Sequence, residues 1–144
     1  HAADYRKGLD RLQTDLASLD TDFRTGLAHC QVHTIVTSHD AFEYLGRRYG
    51  MNIAPIAGVA PDAEPSARYL HDLAQIVRKD KVTTVFSEEL ASPKLADALA
   101  RELNLKTAVL DPIEGLSAAD TTDNYLTLMR KNLREIQEAN SCRM

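Results

Sequence analysis

The chain has 144 residues, one domain's length, and its 44% hydrophobic and 26% charged residues are those of a globular protein with a real core. Seventeen basic residues against 21 acidic ones leave a net charge of −4 with no basic stripe, which argues against nucleic acid as a partner. No apolar run approaches the roughly 18 residues that a membrane-spanning helix needs.

His1-Ala-Ala-Asp-Tyr5 reads as the inside of a helix, with no initiator Met, signal peptide or capping residue. The expectation is a fragment or mature portion, with any signal or anchor outside it. Tyr5, Leu9, Leu12, Leu16, Leu19, Phe23 and Leu27 recur at spacings of three and four, the apolar stripe of a helix of about seven turns. At 1.5 Å per residue such a helix runs roughly 39 Å, more than a small sheet needs for cover. Three roles are open to it: a plain packing helix, an overhanging docking surface, or a backbone shared with a second lobe.

Thr34 to Thr37 is a β-branched strand, followed at once by a helical pattern over Asp40 to Tyr49, where Gly50 suits a left-handed cap. Asn52 to Val59 reads as a second strand. Pro61 to Ser66 is a loop, with Pro65 placed for the first turn of the next helix. That helix carries Tyr69, Leu70, Leu73, Ile76 and Val77, and Val82 to Phe86 is the third strand. Ser92-Pro93 starts a helix with the stripe Leu95, Leu99 and Leu103, which Asn104 can close. Thr107 to Leu110 is the fourth strand, and Ile113 to Thr122 is a loop. Asp120, Thr121 and Thr122 offer caps for a last helix whose Tyr125, Leu126, Met129, Leu133 and Ile136 face inward. Strands alternating with helices predict right-handed crossovers, hence an α/β fold with a four-stranded parallel sheet flanked by helices and a long leading helix.

In such a sheet, ligands bind beyond the carboxyl ends of the strands. The residues that close the strands are His39, the Asp62/Glu64 loop, Glu88-Glu89 and Asp111. One imidazole with several carboxylates is a donor set for a borderline-soft divalent cation. Each has a plainer use: Asp40 and Glu64 as helix-start carboxylates, Glu89 as a solvated charge, His39 as a hydrogen-bonded structural residue. His29, His33 and His71 have no carboxylate company in sequence and read as fillers. Neither a G-x-S-x-G elbow nor a glycine-rich phosphate loop occurs. Ser38-His39-Asp40 is contiguous, and neighbouring side chains at a strand end are expected to point apart, so no catalytic relay is expected there. Cys30 and Cys142 match no zinc-ribbon or redox spacing, which leaves a single disulfide or two buried thiols.

The succession "VTSHDAFEYLGRRYG", "APDAEPSARYLHDL", "KVTTVFSEELASPKLADALA", "AVLDPIEG" and "DNYLTLMRKNLREI" resembles the C-terminal half of zinc/manganese-binding solute-binding proteins of ABC importers, across essentially the whole chain. That resemblance implies two α/β lobes joined by one long helix, with a metal in the cleft between them. Residues 1–28 would be the interlobe backbone helix and residues 29–144 the C-terminal lobe. The N-terminal lobe, with two further histidine ligands, would be missing here. His39 of "SHDAF" matches a protein ligand of the metal, Asp111 of "LDP" matches its carboxylate ligand, and Glu88 of "FSEE" falls on an acidic position behind them. Manganese-type members tend to carry a carboxylate at the position of His39, so histidine implies zinc (Zn2+) rather than Mn2+.

The expected function is therefore a binding module and not an enzyme. It would capture zinc outside the cytoplasm, in the periplasm or on a cell-surface lipoprotein, and deliver it to a membrane permease. The rival is a metal-dependent hydrolase with His39 and Asp111 as ligands and Glu88 as general base. An extracytoplasmic location would allow oxidation, and a Cys30–Cys142 disulfide is the expectation. With two ligands instead of four, this chain alone is expected to bind zinc weakly or to be metal-free. An uncovered stripe on the leading helix is expected to self-associate or fray at its first turns.

Overall fold

The computed structural model describes residues 1–59, 64–115 and 122–143. After a leading helix, strands and helices alternate in the order α1 (Ala2–Gly26), β1 (Thr34–Thr37), α2 (Glu43–Tyr49), β2 (Asn52–Pro55), α3 (Ala67–Lys79), β3 (Thr84–Ser87), α4 (Lys94–Leu103), β4 (Lys106–Val109) and α5 (Tyr125–Ala139). The strands form a four-stranded sheet in the order β2-β1-β3-β4. All three pairings are parallel: Val36 lies opposite Ala54 on one side and Val85 on the other, and Val85 lies opposite Thr107. The chain winds outward from β1 to β2, then returns to lay β3 against the other side of β1. The switch point of this doubly wound sheet is thus between β1 and β3, where a ligand crevice is expected.

Strand periodicity explains the two cores. Successive side chains alternate faces, so Ile35 and Phe86 join Leu19, Phe23, Leu133 and Ile136 beneath α1, α2 and α5. Val36 and Val85 turn the other way and pack with Leu73, Val77, Ala96 and Leu99 of α3 and α4. The central strands β1 and β3 are buried along their length, whereas edge strand β4 is largely exposed. Gly46 lets α2 lie close on the sheet, because a Cβ there would come within 2.7 Å of the Met51 carbonyl and of Ile53. Gly50 takes the left-handed cap at φ 71° that the sequence anticipates, and Asn104 closes α4 in the same conformation.

Several boundaries differ from expectation. Strand β2 stops at Pro55, not Val59, and α2 starts at Glu43, not Asp40, so Asp40 caps no helix. Ser66 caps α3 by accepting from the Tyr69 amide (3.2 Å), which puts Pro65 before the cap and not inside the first turn. Asn124 caps α5 in a reciprocal box with Thr127, because its short side chain reaches the amides of Leu126 and Thr127. Asp62, Asp120 and Thr121 lie outside the described residues.

The stripe on α1 is divided. Leu19, Phe23 and Leu27 are buried against the lobe, but Tyr5, Leu9, Leu12 and Leu16 are exposed, Tyr5 by 80%. Polar ties fix the docked part. Asp20 accepts from Arg48 (2.7 Å) and Tyr49 (3.0 Å) of α2, and Asp22 accepts from Arg130 (2.9 Å) of α5. The bonds from Arg48 and then Arg24 hold the Asp20 carboxyl well below the ordinary carboxylate range. A Cys30–Cys142 disulfide joins the segment before β1 to the end of α5, as expected. Among the described residues no helix is long and apolar enough to cross a membrane.

Candidate metal centre

Beyond Thr37 the β1 chain leaves the pleat in a bend over Ser38 to Asp40. Two sets of bonds hold that bend. The Thr37 hydroxyl donates to the His39 carbonyl (2.8 Å), and the amides of Ile56 and Ala57 donate to the carbonyls of Thr37 (2.7 Å) and Ser38 (2.9 Å). Phe42, buried in the core, anchors its far side. Glu88 directly follows β3, so the switch point brings the two together. His39 Nδ1 and Ser38 Oγ both meet the same oxygen, Oε1 of Glu88.

The pair is almost fully enclosed, with His39 4% and Glu88 8% exposed. A buried carboxylate is costly unless hydrogen-bonded, and here the imidazole and the hydroxyl supply its donors. A carboxylate oxygen can only accept, so the bond assigns the proton of a neutral His39 to Nδ1 and leaves the Nε2 lone pair free. That tautomer is the one a metal-ligating histidine needs when a carboxylate stands behind it.

Asp111 arrives from the next strand, β4. Its backbone amide donates to Asn132 Oδ1 (3.0 Å) and its carbonyl accepts from Asn132 Nδ2 (2.7 Å), so one α5 side chain clamps both groups. Its Oδ1 accepts from the Ile113 amide (2.8 Å). Pro112 follows, and Ile113 sits in the left-handed region at φ 62°. These turns bring Glu114 back to the same wall. A cavity of about 530 Å³ is lined by Ser38, Glu64, Glu88, Asp111 and Glu114, with Leu90 and Leu95 as its apolar side.

The structure thus joins His39 to Glu88, and sets Glu88 and Asp111 on one cavity. No hydrogen bond or ion pair joins His39 to Asp111. Among the described residues, no three His, Cys, Asp or Glu side chains converge closely enough to hold a metal ion. His29, His33 and His71 are exposed, as is Glu89. One expectation is corrected: Ser38 and His39 do not point apart, because the bend removes the pleat that would have alternated them. They are still no relay, since the serine bonds to a carboxylate and not to the ring. The sequence pointed to Ser38 only as part of a relay that was dismissed, and to Glu114 and Asn132 not at all. Only Asn132 had a legible signal, being a polar residue three after Met129 and four before Ile136 on a buried face.

Fold and site together define a doubly wound α/β lobe with a carboxylate-held histidine at its switch point. The chain belongs to the family of zinc-uptake complex component A, periplasmic (ZnuA), whose model matches residues 1–139. It is 42% identical over 125 residues to the zinc-binding lipoprotein AdcA of Streptococcus pneumoniae, covering 85% of this chain and 25% of that protein. Its fold is similar to the laminin-binding protein Lbp of Streptococcus pyogenes, with TM-score 0.87 and 29% identity over 94% of this chain and 53% of that one. It is also similar to the Zn(II)-bound ZnuA-like domain of S. pneumoniae AdcA, with TM-score 0.74 and 38% identity over 94% of this chain and 52% of that domain. The chain thus spans about a quarter of the AdcA lipoprotein and about half of the solved structures.

Proposed function

We propose that this chain is the C-terminal metal-gripping lobe of an extracytoplasmic solute-binding protein, which captures zinc and delivers it to the membrane permease of an ABC importer. The observation that carries the reading is the His39–Glu88 bond at the switch point, whose Glu88 lines one cavity with the carboxylates of Asp111 and Glu114. Family membership and the zinc-binding names of the relatives support it. Residues 1–28 serve as the backbone helix between lobes and residues 29–144 as the lobe, a division supported by the uncovered N-terminal half of the α1 stripe. The disulfide supports a location outside the cytoplasm.

In this reading His39 Nε2 is one zinc ligand and Asp111 the carboxylate ligand. Glu88 holds the ring from behind, and Ser38 holds Glu88. Glu114 is a second carboxylate on the same wall, the more available because one Asp111 oxygen is engaged by the Ile113 amide. An imidazole suits zinc better than manganese. The remaining ligands come from the other lobe. The arrangement supports this reading over that of a metal-dependent hydrolase: Oε1 of Glu88 carries two donors in a buried site, which suits a group that holds the ring.

The test is calorimetric titration of zinc into the two-lobed protein, its His39→Ala and His71→Ala variants, and this 144-residue chain. His39→Ala weakens binding by orders of magnitude, His71→Ala changes it little, and the chain alone binds weakly because water must replace absent ligands. Wild-type affinity in the His39→Ala protein would remove His39 from the site.

A further inference from the structure

We infer that Asn132 is a positioning residue for the carboxylate arm of the metal site: its buried amide fixes where the segment from Asp111 to Glu114 leaves β4. The inference rests on the function proposed above. Among the described residues β4 is an edge strand, so the backbone groups at its end meet no neighbouring strand on the outer side. Buried backbone N–H and C=O groups need partners. Asn132, itself only 3% exposed, donates to the Asp111 carbonyl and accepts from the Asp111 amide. One side chain stands in for the missing strand at that single residue.

The backbone just beyond the clamp is strained and needs such a hold. Pro112 offers no amide, and Ile113 is β-branched yet left-handed at φ 62°. A β-branched residue in that region is strained, and such strain persists only where the surroundings over-determine it. The clamp on Asp111 before it and the Asp111 Oδ1 bond to the Ile113 amide supply that determination. The turn they enforce is what sets Asp111 and Glu114 on one cavity wall. Freed from Asn132, the segment relaxes at Ile113 and both carboxylates leave their places together.

The C-terminal cap of the same helix provides a control. Asn140 is 2% exposed and clamps the other end of the sheet, donating to the carbonyls of Val32 (2.9 Å) and Thr34 (3.1 Å). Both asparagines are buried, both bind backbone, and only Asn132 touches the carboxylate arm.

The experiment measures zinc affinity by chelator competition, and thermal stability, in the two-lobed protein. Its variants are Asn132→Asp, Asn132→Gln, Asn140→Asp and Asp111→Asn/Glu114→Gln. Asn132→Asp keeps the acceptor and loses the donor. Asn132→Gln keeps both one methylene further out, and stands in where Asn132→Asp fails to fold. An Asn132 variant is expected to lose about tenfold or more in zinc affinity, the scale for groups that orient ligands. Asn140→Asp loses comparable stability with affinity near wild type. Asn132 variants that bind zinc as Asn140→Asp does would overturn the inference while Asp111→Asn/Glu114→Gln still loses zinc. Wild-type affinity in Asp111→Asn/Glu114→Gln would instead remove the carboxylate arm from the proposed function, and Asn132 with it.

Discussion

Replacing Glu88 with Gln removes the charge behind His39 and keeps the shape. Oε1 alone accepts from both Ser38 and His39, so an amide with its oxygen in that place can accept both bonds. Only their strength changes: a hydrogen bond to a charged partner contributes about 1.5–3 kcal/mol and a neutral one about 0.5–1.5 kcal/mol. The bond to the imidazole bears on the metal because a cation at Nε2 polarises the ring and strengthens its Nδ1–H bond to a charged acceptor; losing about 1.4 kcal/mol of that gain is a tenfold change in affinity. Glu88→Gln is therefore expected to weaken zinc binding about tenfold in the two-lobed protein, with little loss of stability. Glu88→Leu strands two donors in an enclosed site, at about 1–3 kcal/mol each. It also frees the ring to carry its proton on Nε2, where it blocks ligation. Its zinc affinity falls further and its melting temperature drops. Chelator competition reads the affinity, and nitrogen-15 shifts of the His39 ring read the tautomer. Glu88→Gln binding zinc as wild type, with the His39 proton still on Nδ1 in Glu88→Leu, would refute the reasoning and leave the pair a structural contact.

The disulfide closes a separation of 112 residues, worth up to about 5 kcal/mol in the chain-entropy model. Cys30→Ala/Cys142→Ala should therefore lose a large share of its urea stability, and a loss under about 1 kcal/mol would show that the unfolded chain is already compact there. Asp20 has a depressed folded pKa against an ordinary value of 3.8, so its contribution is present above that value and lost as pH falls below it. The melting-temperature gap between wild type and Asp20→Asn should thus be open at neutral pH and shrink steadily below about pH 4; a gap unchanged at low pH would contradict this. The exposed residues Tyr5, Leu9, Leu12 and Leu16 should drive self-association of this 144-residue chain. Leu9→Lys/Leu12→Lys should return it to a monomer in sedimentation, and association unchanged by these lysines would place the contact elsewhere.

The strands were legible where the chemistry was one-sided. Thr34-Ile-Val-Thr37 is β-branched throughout and becomes β1 with its boundaries as read. The stripe of α1 fixed its extent to within a residue or two, because a period of three and four over seven turns has no rival pattern. The start of α2 was not legible: Asp40 and Ala41 fit a helix locally, but the bend that carries His39 uses that stretch, a tertiary demand that no local propensity records. The same limit explains Ser38, whose direction depends on leaving the pleat. His39, Glu88 and Asp111 were legible as strand-end residues, and sheet order alone decides that β1 and β3 adjoin and so which two of them touch. Asn132 stands at a buried position of an amphipathic helix and Asn140 is the buried cap at its end, and such polar residues are better read as backbone clamps than as flaws in the stripe.

On the function proposed here, the incompleteness of the donor set is what a carrier requires. Zinc bonds to protein ligands at about 2.0–2.2 Å, so a ligand set divided between two lobes is broken by a separation of a few ångströms. Tight capture and release to a permease then differ by one rigid movement and not by unfolding. The lobe stays ready for the next ion because Glu88 and Ser38 hold the His39 ring by bonds that owe nothing to the metal. The ties of Asp20 to α2 and Asp22 to α5 make the docked end of α1 move with the lobe.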